Sequence, residues 1–301
     1  MITIITATSL SKFLACQRAY YYRHELRLNA IETAEALSFG RAFHAAMESR
    51  NKGMTCEQAL AEGMIHIAGN EQAAATLSGL VYGYFARYKD DPPIETRSEI
   101  QFSHKIGKNG FRAAGVIDGL AQNSAGEFVL LEYKTTSQSV DPSSDYWARL
   151  RSNLQVNMYV DACLAHGIEV SKVIYDVTKK PSIRPRQEET LEAYALRLRE
   201  DCEKRPEFYF ARREVTILHD DLHAFRTMRK EACYQIVSLR HRSRRTGRVC
   251  SPWLCCGQQQ TCNFCEYNSF CLYGAEASTQ NIPSGFYLGE RNPELKQNSN
   301  I

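Results

Sequence analysis

Two neighbouring apolar segments, FRAAGVIDGLA (111–121) and EFVLLEYKT (127–135), constrain the fold of this 301-residue chain most strongly. Both have the composition of short strands, and the Asn, Ser and Gly residues within 123–126 predict a turn between them. Two strands joined in this way lie side by side, so we expect Asp118 and Glu132 to be neighbours. Carboxylates so placed can hold a hard divalent cation such as Mg²⁺.

The triplet Glu132-Tyr133-Lys134 adds a positive charge to these acids. Side chains alternate across a strand, so Glu132 and Lys134 share one face and Tyr133 takes the other. The amine can then reach a water or a phosphate oxygen at the same metal. The combination indicates metal-assisted hydrolysis of a phosphodiester bond.

The composition is that of a soluble globular protein, with 44% hydrophobic and 24% charged residues. No apolar run approaches the roughly 20 residues that span a bilayer. The N-terminus lacks the charged start and long apolar stretch of a signal peptide. We therefore expect a cytoplasmic protein that does not bind a membrane.

Apolar periodicity predicts one α/β domain over residues 1–275, whose two ends come together, and a loosely held polar tail over 276–301. Helices are predicted over 8–28, 34–50, 56–89 with a break at Gly69-Asn70, 145–166, 187–205 and 219–242. Strands are predicted over 94–106, 111–121, 127–135, 170–180 and 208–218.

The chain has eleven cysteines, and an odd count without a secretion signal argues against a disulfide framework. Cys262, Cys265 and Cys271 are spaced to give three ligands to one metal centre. The fourth ligand must come from Cys255, Cys256 or a distant cysteine. Local spacing alone favours Cys255 or Cys256, and hence a zinc site.

Together these motifs resemble a known family, the RecB-like branch of the PD-(D/E)xK nucleases. The iron–sulfur members are the most similar: the AddB nuclease domain, CRISPR-associated RecB-like exonucleases and phage-encoded relatives. The resemblance covers about residues 8–275 in the right order. It is carried by TSLSKFLACQRAYYYR, FGRAFHAAME, SEIQF, GVIDGL, LLEYKTTS, NLQVNMYVDA and the C-terminal CxxC-x5-C cluster.

The resemblance implies a restriction-endonuclease-like core, in which helices flank a mixed central sheet. It also implies that Mg²⁺ or Mn²⁺ is held by His44, Asp118, Glu132 and the backbone carbonyl of Tyr133.

The resemblance implies further roles at this site. Lys134 would orient or activate the attacking water. Gln155 and Tyr159, one helical turn apart, would support the site or the scissile phosphate. Glu99 would be an outer acid on the preceding strand.

For the cysteines, the resemblance implies that Cys16 is the fourth thiolate of a [4Fe–4S] cluster with Cys262, Cys265 and Cys271. Such a cluster would join segments 8–28 and 250–275 as a staple. Cys255 and Cys256 are additional thiols, so a different ligand set or zinc remains open.

The function implied is a metal-dependent exonuclease that acts on DNA ends with a single-stranded segment, in phage or bacterial recombination or repair. A single-strand-annealing protein or a helicase is the expected partner. The alternatives are a non-catalytic DNA-binding or assembly subunit and a structure-specific endonuclease. The basic residues 240–248 suit either a phosphate backbone or a solvated helix end.

Overall fold

The computed structural model describes residues 2–31, 35–91, 96–108, 110–122, 126–246, 252–273, 277–293 and 295. The strands are β1 (Thr3–Ile5), β2 (Leu28–Ala30), β3 (Thr96–Ile106), β4 (Phe111–Gln122), β5 (Phe128–Thr136), β6 (Val170–Lys179), β7 (Phe210–Val215) and β8 (Phe286–Leu288).

The helices flank these strands. They are α1 (Ala7–Ala15), α2 (Gln17–Tyr20), α3 (Glu35–Asn51), α4 (Cys56–Met64), α5 (Glu71–Arg87), α6 (Asp145–Leu150), α7 (Leu154–Ala165), α8 (Leu191–Lys204), α9 (Pro206–Tyr209), α10 (His219–Thr246), α11 (Gln259–Asn263) and α12 (Asn268–Cys271). Among the described residues, no helix combines the length and the apolar composition needed to cross a membrane.

The central sheet is mixed, as predicted. Within the described residues it has six strands, in the order β1-β4-β5-β6-β7, with β3 on the other edge of β4. Strands β4 and β5 are antiparallel, whereas β5 and β6 are parallel. The carboxyl ends of β5 and β6 therefore meet at one edge of the sheet.

A hydrophobic core lies on each face of this sheet. Leu130 and Tyr175 contribute to the core that contains α1, α7 and α10. Tyr133 contributes to the other core, with α3, α5 and α8. Because neighbouring residues of a strand point to opposite faces, the apolar run of β5 serves both cores.

Two predicted helices are interrupted. The helix predicted over 8–28 breaks at Cys16, whose backbone is extended at φ −162°. α1 is capped by Thr6, so it begins earlier than the predicted residue 8. The helix predicted over 145–166 breaks before α7, where the Asn153 side chain caps the new N-terminus. At Asn153 a side-chain cap outweighs the continuing apolar period, whereas no described side chain caps the helix that begins after Cys16.

The prediction of a loosely held tail over 276–301 is wrong for part of that segment. β8 pairs antiparallel with β2, with Leu288 opposite Leu28. Phe286 stacks on Tyr267 with ring centres 5.6 Å apart. The prediction was wrong because the mostly polar composition of this segment outweighed the three apolar residues that form β8.

Candidate active site and cysteine pocket

The register of β4 and β5 brings the two predicted acids together. Gly119 lies opposite Leu131. One residue further, Asp118 and Glu132 occupy adjacent strand positions. The backbone N–H of Tyr133 donates a 3.1 Å hydrogen bond to Asp118 Oδ2, which fixes that carboxylate at the end of the paired region.

Glu132 is buried in an electrostatically unfavourable setting. It is 0% exposed, and the ammonium group of Lys134 contacts its Oε1, whereas Oε2 has no hydrogen-bond partner among the described residues. Burial and the charge of Asp118 raise the pKa of Glu132 to about 7, and Lys134 offsets this only in part. A buried carboxylate that one ammonium group compensates only in part costs free energy, and a bound cation would reduce that cost.

Lys134 stands on the same face as Glu132, as strand alternation predicts. Its ammonium group forms an ion pair with Glu132 Oε1. It also donates a 2.8 Å hydrogen bond to Gln155 Oε1 on α7. Gln155 Nε2 in turn donates to the hydroxyl of Tyr159 at 2.8 Å. The predicted residues of α7 therefore continue a chain of polar groups from the lysine.

His44 approaches the acids from α3. Its Nδ1 lies 3.4 Å from Asp118 Oδ2. Burial is the main cause that lowers the pKa of His44 to about 4, so its ring is neutral near pH 7. A neutral imidazole keeps a lone pair that can bind a metal.

Asn51 is a residue of this region that sequence reasoning missed. It exchanges hydrogen bonds of 2.9 and 3.0 Å with the hydroxyl of Tyr133. These bonds tie α3 to β5 beside His44. The available signal was its spacing, since Asn51 follows His44 by two helical turns on the same face.

Glu99 is only partly described. Its side chain lies outside the described residues. Its backbone lies in β3 between the pairs Ser98–Gly119 and Ile100–Ile117. An outer role for this acid therefore stays a prediction.

The acids do not form a preassembled metal site. In the part of the chain that the structure describes, no group of three or more His, Cys, Asp or Glu side chains is arranged to hold a metal ion. The donor chemistry nevertheless fits a hard cation, because a buried carboxylate whose Oε2 has no hydrogen-bond partner among the described residues stands beside a second carboxylate.

Comparison with a family model gives a match along most of the chain. The model of the PD-(D/E)XK nuclease superfamily matches residues 4–272. The chain belongs to this superfamily. A search of curated proteins gave no match.

Two solved structures share a distant likeness with this PD-(D/E)XK chain. The crystal structure of a protein named SSO0001 has 12% identity and a TM-score of 0.41, and the match covers 91% of this chain and 87% of that one. A "Putative exonuclease" from Eubacterium rectale has 10% identity and a TM-score of 0.44, with coverages of 91% and 89%. Neither likeness carries a functional argument.

The PD-(D/E)XK chain gathers six cysteines around one pocket. The thiols come from the break between α1 and α2, from the loop before α11, and from the segment that begins in α11 and ends in α12. They are Cys16, Cys255, Cys256, Cys262, Cys265 and Cys271. Thiols from opposite ends of the chain therefore share one pocket, although none of them forms a preassembled metal-binding group in the described residues.

Aromatic packing joins the two ends of the chain beside this pocket. Trp253 is 1% exposed and stacks on Tyr20 with ring centres 5.9 Å apart. The hydroxyl of Tyr267 donates a 3.0 Å hydrogen bond to the carbonyl of Leu28. The backbone N–H of Arg18 donates to the carbonyl of Leu254 at 3.0 Å. These ring contacts and hydrogen bonds therefore hold the N-terminal and C-terminal segments together.

The start of the basic segment 240–248 makes contacts within the protein. Arg240 is half-buried and binds Glu25, with Nη2 and Oε1 2.6 Å apart. Ser243 accepts a 2.9 Å hydrogen bond from the indole of Trp253. Residues 247 and 248 lie outside the described part. The first turn of this segment therefore holds the fold together.

Proposed function

We propose that this chain is a Mg²⁺- or Mn²⁺-dependent deoxyribonuclease that degrades DNA from its ends. The observation that carries the proposal is the buried Glu132 beside Asp118 and Lys134, in a chain that matches the PD-(D/E)XK superfamily over nearly its whole length. Preference for ends follows from the resemblance to RecB-like exonucleases.

The divalent cation would be held by His44, Asp118, Glu132 and the carbonyl of Tyr133. When bound, it supplies positive charge at the scissile phosphate and lowers the pKa of a water. Glu132 would then be ionised, because the cation outweighs the burial and the repulsion from Asp118 that raise its pKa.

Lys134 places its ammonium group where negative charge accumulates as water attacks phosphorus. Gln155 holds that ammonium group through its Oε1, and Tyr159 holds the Gln155 amide in turn. This chain limits the rotamers of the lysine, so less reorganisation is needed when the substrate binds. Glu99 would act as an outer acid of the same site.

We also propose that Cys16, Cys262, Cys265 and Cys271 hold a [4Fe–4S] cluster, with zinc as the alternative occupant. Thiolates suit either group. The cluster would act as a staple for the contact between the chain ends. Cys255 and Cys256 line the same pocket, so they are the candidates for a substituted ligand.

The role we propose is in phage or bacterial recombination or repair, where such an enzyme would supply single strands to an annealing protein. A helicase partner would provide unwinding. This assignment rests on the family resemblance.

The nuclease proposal is tested by incubating end-labelled linear DNA with the protein and Mn²⁺. Lys134→Ala should lower the cleavage rate by about a hundredfold to a thousandfold. Lys172→Ala is the matched control, because Lys172 is an exposed lysine on β6 that pairs with Glu214. Tight binding of every DNA form without cleavage by the wild type would show a binding subunit instead. Cleavage of closed circular single strands would show an endonuclease.

The cluster proposal is tested on protein purified without oxygen. The wild type should be brown and contain iron and sulfide, and Cys16→Ser should remove the colour and lower the Tm by about 10 °C. Cys56→Ser is the control, because Cys56 lies on α4, away from the pocket. A colourless wild type with stoichiometric zinc would refute iron–sulfur ligation and leave the nuclease proposal intact.

A further inference from the structure

A second pocket opens at the edge where the parallel strands β5 and β6 end. Its volume is about 220 Å³. Its lining includes Phe39 from α3, Gln72 and Thr76 from α5, Ser137 after β5, and Lys180 and Arg184 after β6. In open α/β sheets, ligands bind outside the carboxyl ends of the strands, which is where this pocket lies.

The pocket adjoins the candidate active site through two elements. Ser137 follows Lys134 by three residues, a distance of roughly 10 Å along an extended chain. Phe39 precedes His44 on α3, and a Cβ at Gly40 would lie 3.9 Å from Thr135 Oγ1, so the start of α3 packs against the end of β5. The backbone N–H of Lys180 donates a 2.7 Å hydrogen bond to the carbonyl of Thr136, which holds the segment after β6 against the end of β5.

The lining of this pocket is cationic. Lys180 Nζ lies 4.9 Å from the ring centre of Phe39, which turns the ammonium group toward the pocket wall. Arg184 is exposed, and within the described residues it forms no ion pair. None of the lining residues carries a carboxylate. Ser137 and Gln72 add neutral hydrogen-bond donors. A concave site with two cations and neutral donors suits a phosphate group.

We infer that this pocket binds a backbone phosphate of the DNA strand whose scissile phosphate lies at Lys134. The inference rests on the proposed nuclease function and extends it to the path of the substrate. The roughly 10 Å of extended chain between Lys134 and Ser137 places this pocket within a few nucleotides of the scissile phosphate along the strand. Lys180 and Arg184 would hold the strand in register, without contact to the reacting atoms.

The test measures binding without cleavage. A fluorescein-labelled single-stranded decanucleotide is titrated with Lys134→Ala protein, and with the same protein carrying Lys180→Gln and Arg184→Gln. The charge-neutral glutamines keep long polar side chains, so they spare the packing. We expect affinity to fall roughly tenfold or more, because charge-assisted hydrogen bonds are lost. The slope of log K against log salt should become shallower by about 0.7 for each phosphate contact removed.

Arg186→Gln is the matched control, because Arg186 is an exposed arginine two residues beyond Arg184 and does not line the pocket. The pair Lys180→Arg and Arg184→Lys should keep most of the affinity. Equal losses in the Arg186 control and the double variant would overturn the inference. So would a loss confined to oligonucleotides with a terminal phosphate, because it would assign the pocket to an end group.

The result is separable from the nuclease proposal. If the wild type cleaves DNA, and Lys180→Gln with Arg184→Gln changes neither cleavage in the wild-type background nor binding in the Lys134→Ala background, the pocket inference fails and the nuclease proposal stands. If no protein cleaves but the double variant loses affinity selectively, the phosphate site stands and the nuclease proposal fails.

Discussion

Two buried carboxylates of this chain, Asp161 and Glu132, have opposite surroundings. Asp161 on α7 is 4% exposed and meets three basic side chains. Its oxygens lie 3.2 Å from His104, 2.5 Å from Arg226 and 2.6 Å from Arg229. Burial alone would raise the pKa of Asp161, but these partners outweigh it and hold the pKa well below its usual range.

Glu132 is more deeply buried and less well compensated. It faces one ammonium group, that of Lys134, and one further carboxylate, that of Asp118. The network at Asp161 places three basic groups around one carboxylate and ties α7 and α10 to β3. At Glu132 one ammonium group faces two carboxylates. In our proposal a cation balances the second negative charge, so the comparison contrasts a structural ion-pair network with a candidate ligand site.

The largest expected effect concerns the network at Asp161. Asp161→Asn should lower the free energy of unfolding by about 3–5 kcal/mol, because it leaves the buried Arg229 without its charge partner. Glu203→Gln is the control, because its pair with Arg199 is exposed and should contribute less than about 1 kcal/mol. Urea unfolding near pH 7 measures both. Similar losses of unfolding free energy in both variants would show that the Asp161 network stabilises the fold no more than an exposed ion pair does.

Glu132→Gln should raise, rather than lower, the free energy of unfolding of the metal-free protein near pH 8. The folded-state pKa of Glu132 is about 7 against an ordinary 4.5. Its contribution to stability is therefore fully present below pH 4.5 and is lost as the pH rises through 7. Above pH 7 the ionised Glu132 therefore lowers the free energy of unfolding of the metal-free protein by about 3 kcal/mol relative to its value below pH 4.5. The variant should be more stable than the wild type at pH 8 in EDTA, and this gain should shrink toward pH 5. A destabilised variant at pH 8 would contradict the assignment.

A divalent cation should reverse this relation. At a hundredfold excess over its Kd, Mn²⁺ should stabilise the wild type by about 2.7 kcal/mol at pH 8. Glu132→Gln should respond less, since it lacks one ligand charge, and Asp161→Asn should respond like the wild type. Thermal unfolding with and without Mn²⁺ measures the difference. Equal responses of all three proteins would place the cation elsewhere.

The smallest effect is expected at Asn51. Asn51→Ala removes the hydrogen bonds to the hydroxyl of Tyr133 and should cost about 1 kcal/mol of stability. As a positioning residue for α3, it should also weaken Mn²⁺ binding through His44. The variant Tyr133→Phe removes the same bonds from the other side, so the double variant should add little. Additive losses would show that the two residues act separately.

Much of the site could be read from strand alternation and turn chemistry. Asp118, Glu132 and Lys134 lie on two successive strands, so a period of two and a short connection place them together. Asn51 and the pocket at Arg184 could not be found in this way. They depend on how α3 packs on the sheet and on where the loop after β6 lies. Spacing places Asn51 on the face of His44, but only the packing of that face against β5 decides the contact with Tyr133.

The cysteines show the same division. Spacing identified Cys262, Cys265 and Cys271 as a set, because neighbours in a short segment cannot lie far apart. The break of the first helix at Cys16 was missed, since Phe13, Tyr20 and their neighbours suggest one continuous apolar helix. Only docking of the C-terminal segment, with Trp253 against Tyr20, decides that the chain turns at Cys16.

By itself, the sequence determined strands β3 to β7 and the pairing of the two acids, because these follow from short-range periodicity and turn chemistry. The family resemblance implied the mixed sheet, and β1, β2 and β8 were not predicted. Only the tertiary structure decided which buried carboxylate is compensated and which is not. Burial and charge at Asp161 and Glu132 depend on groups brought from distant helices, and the pKa of each acid responds to all of them at once.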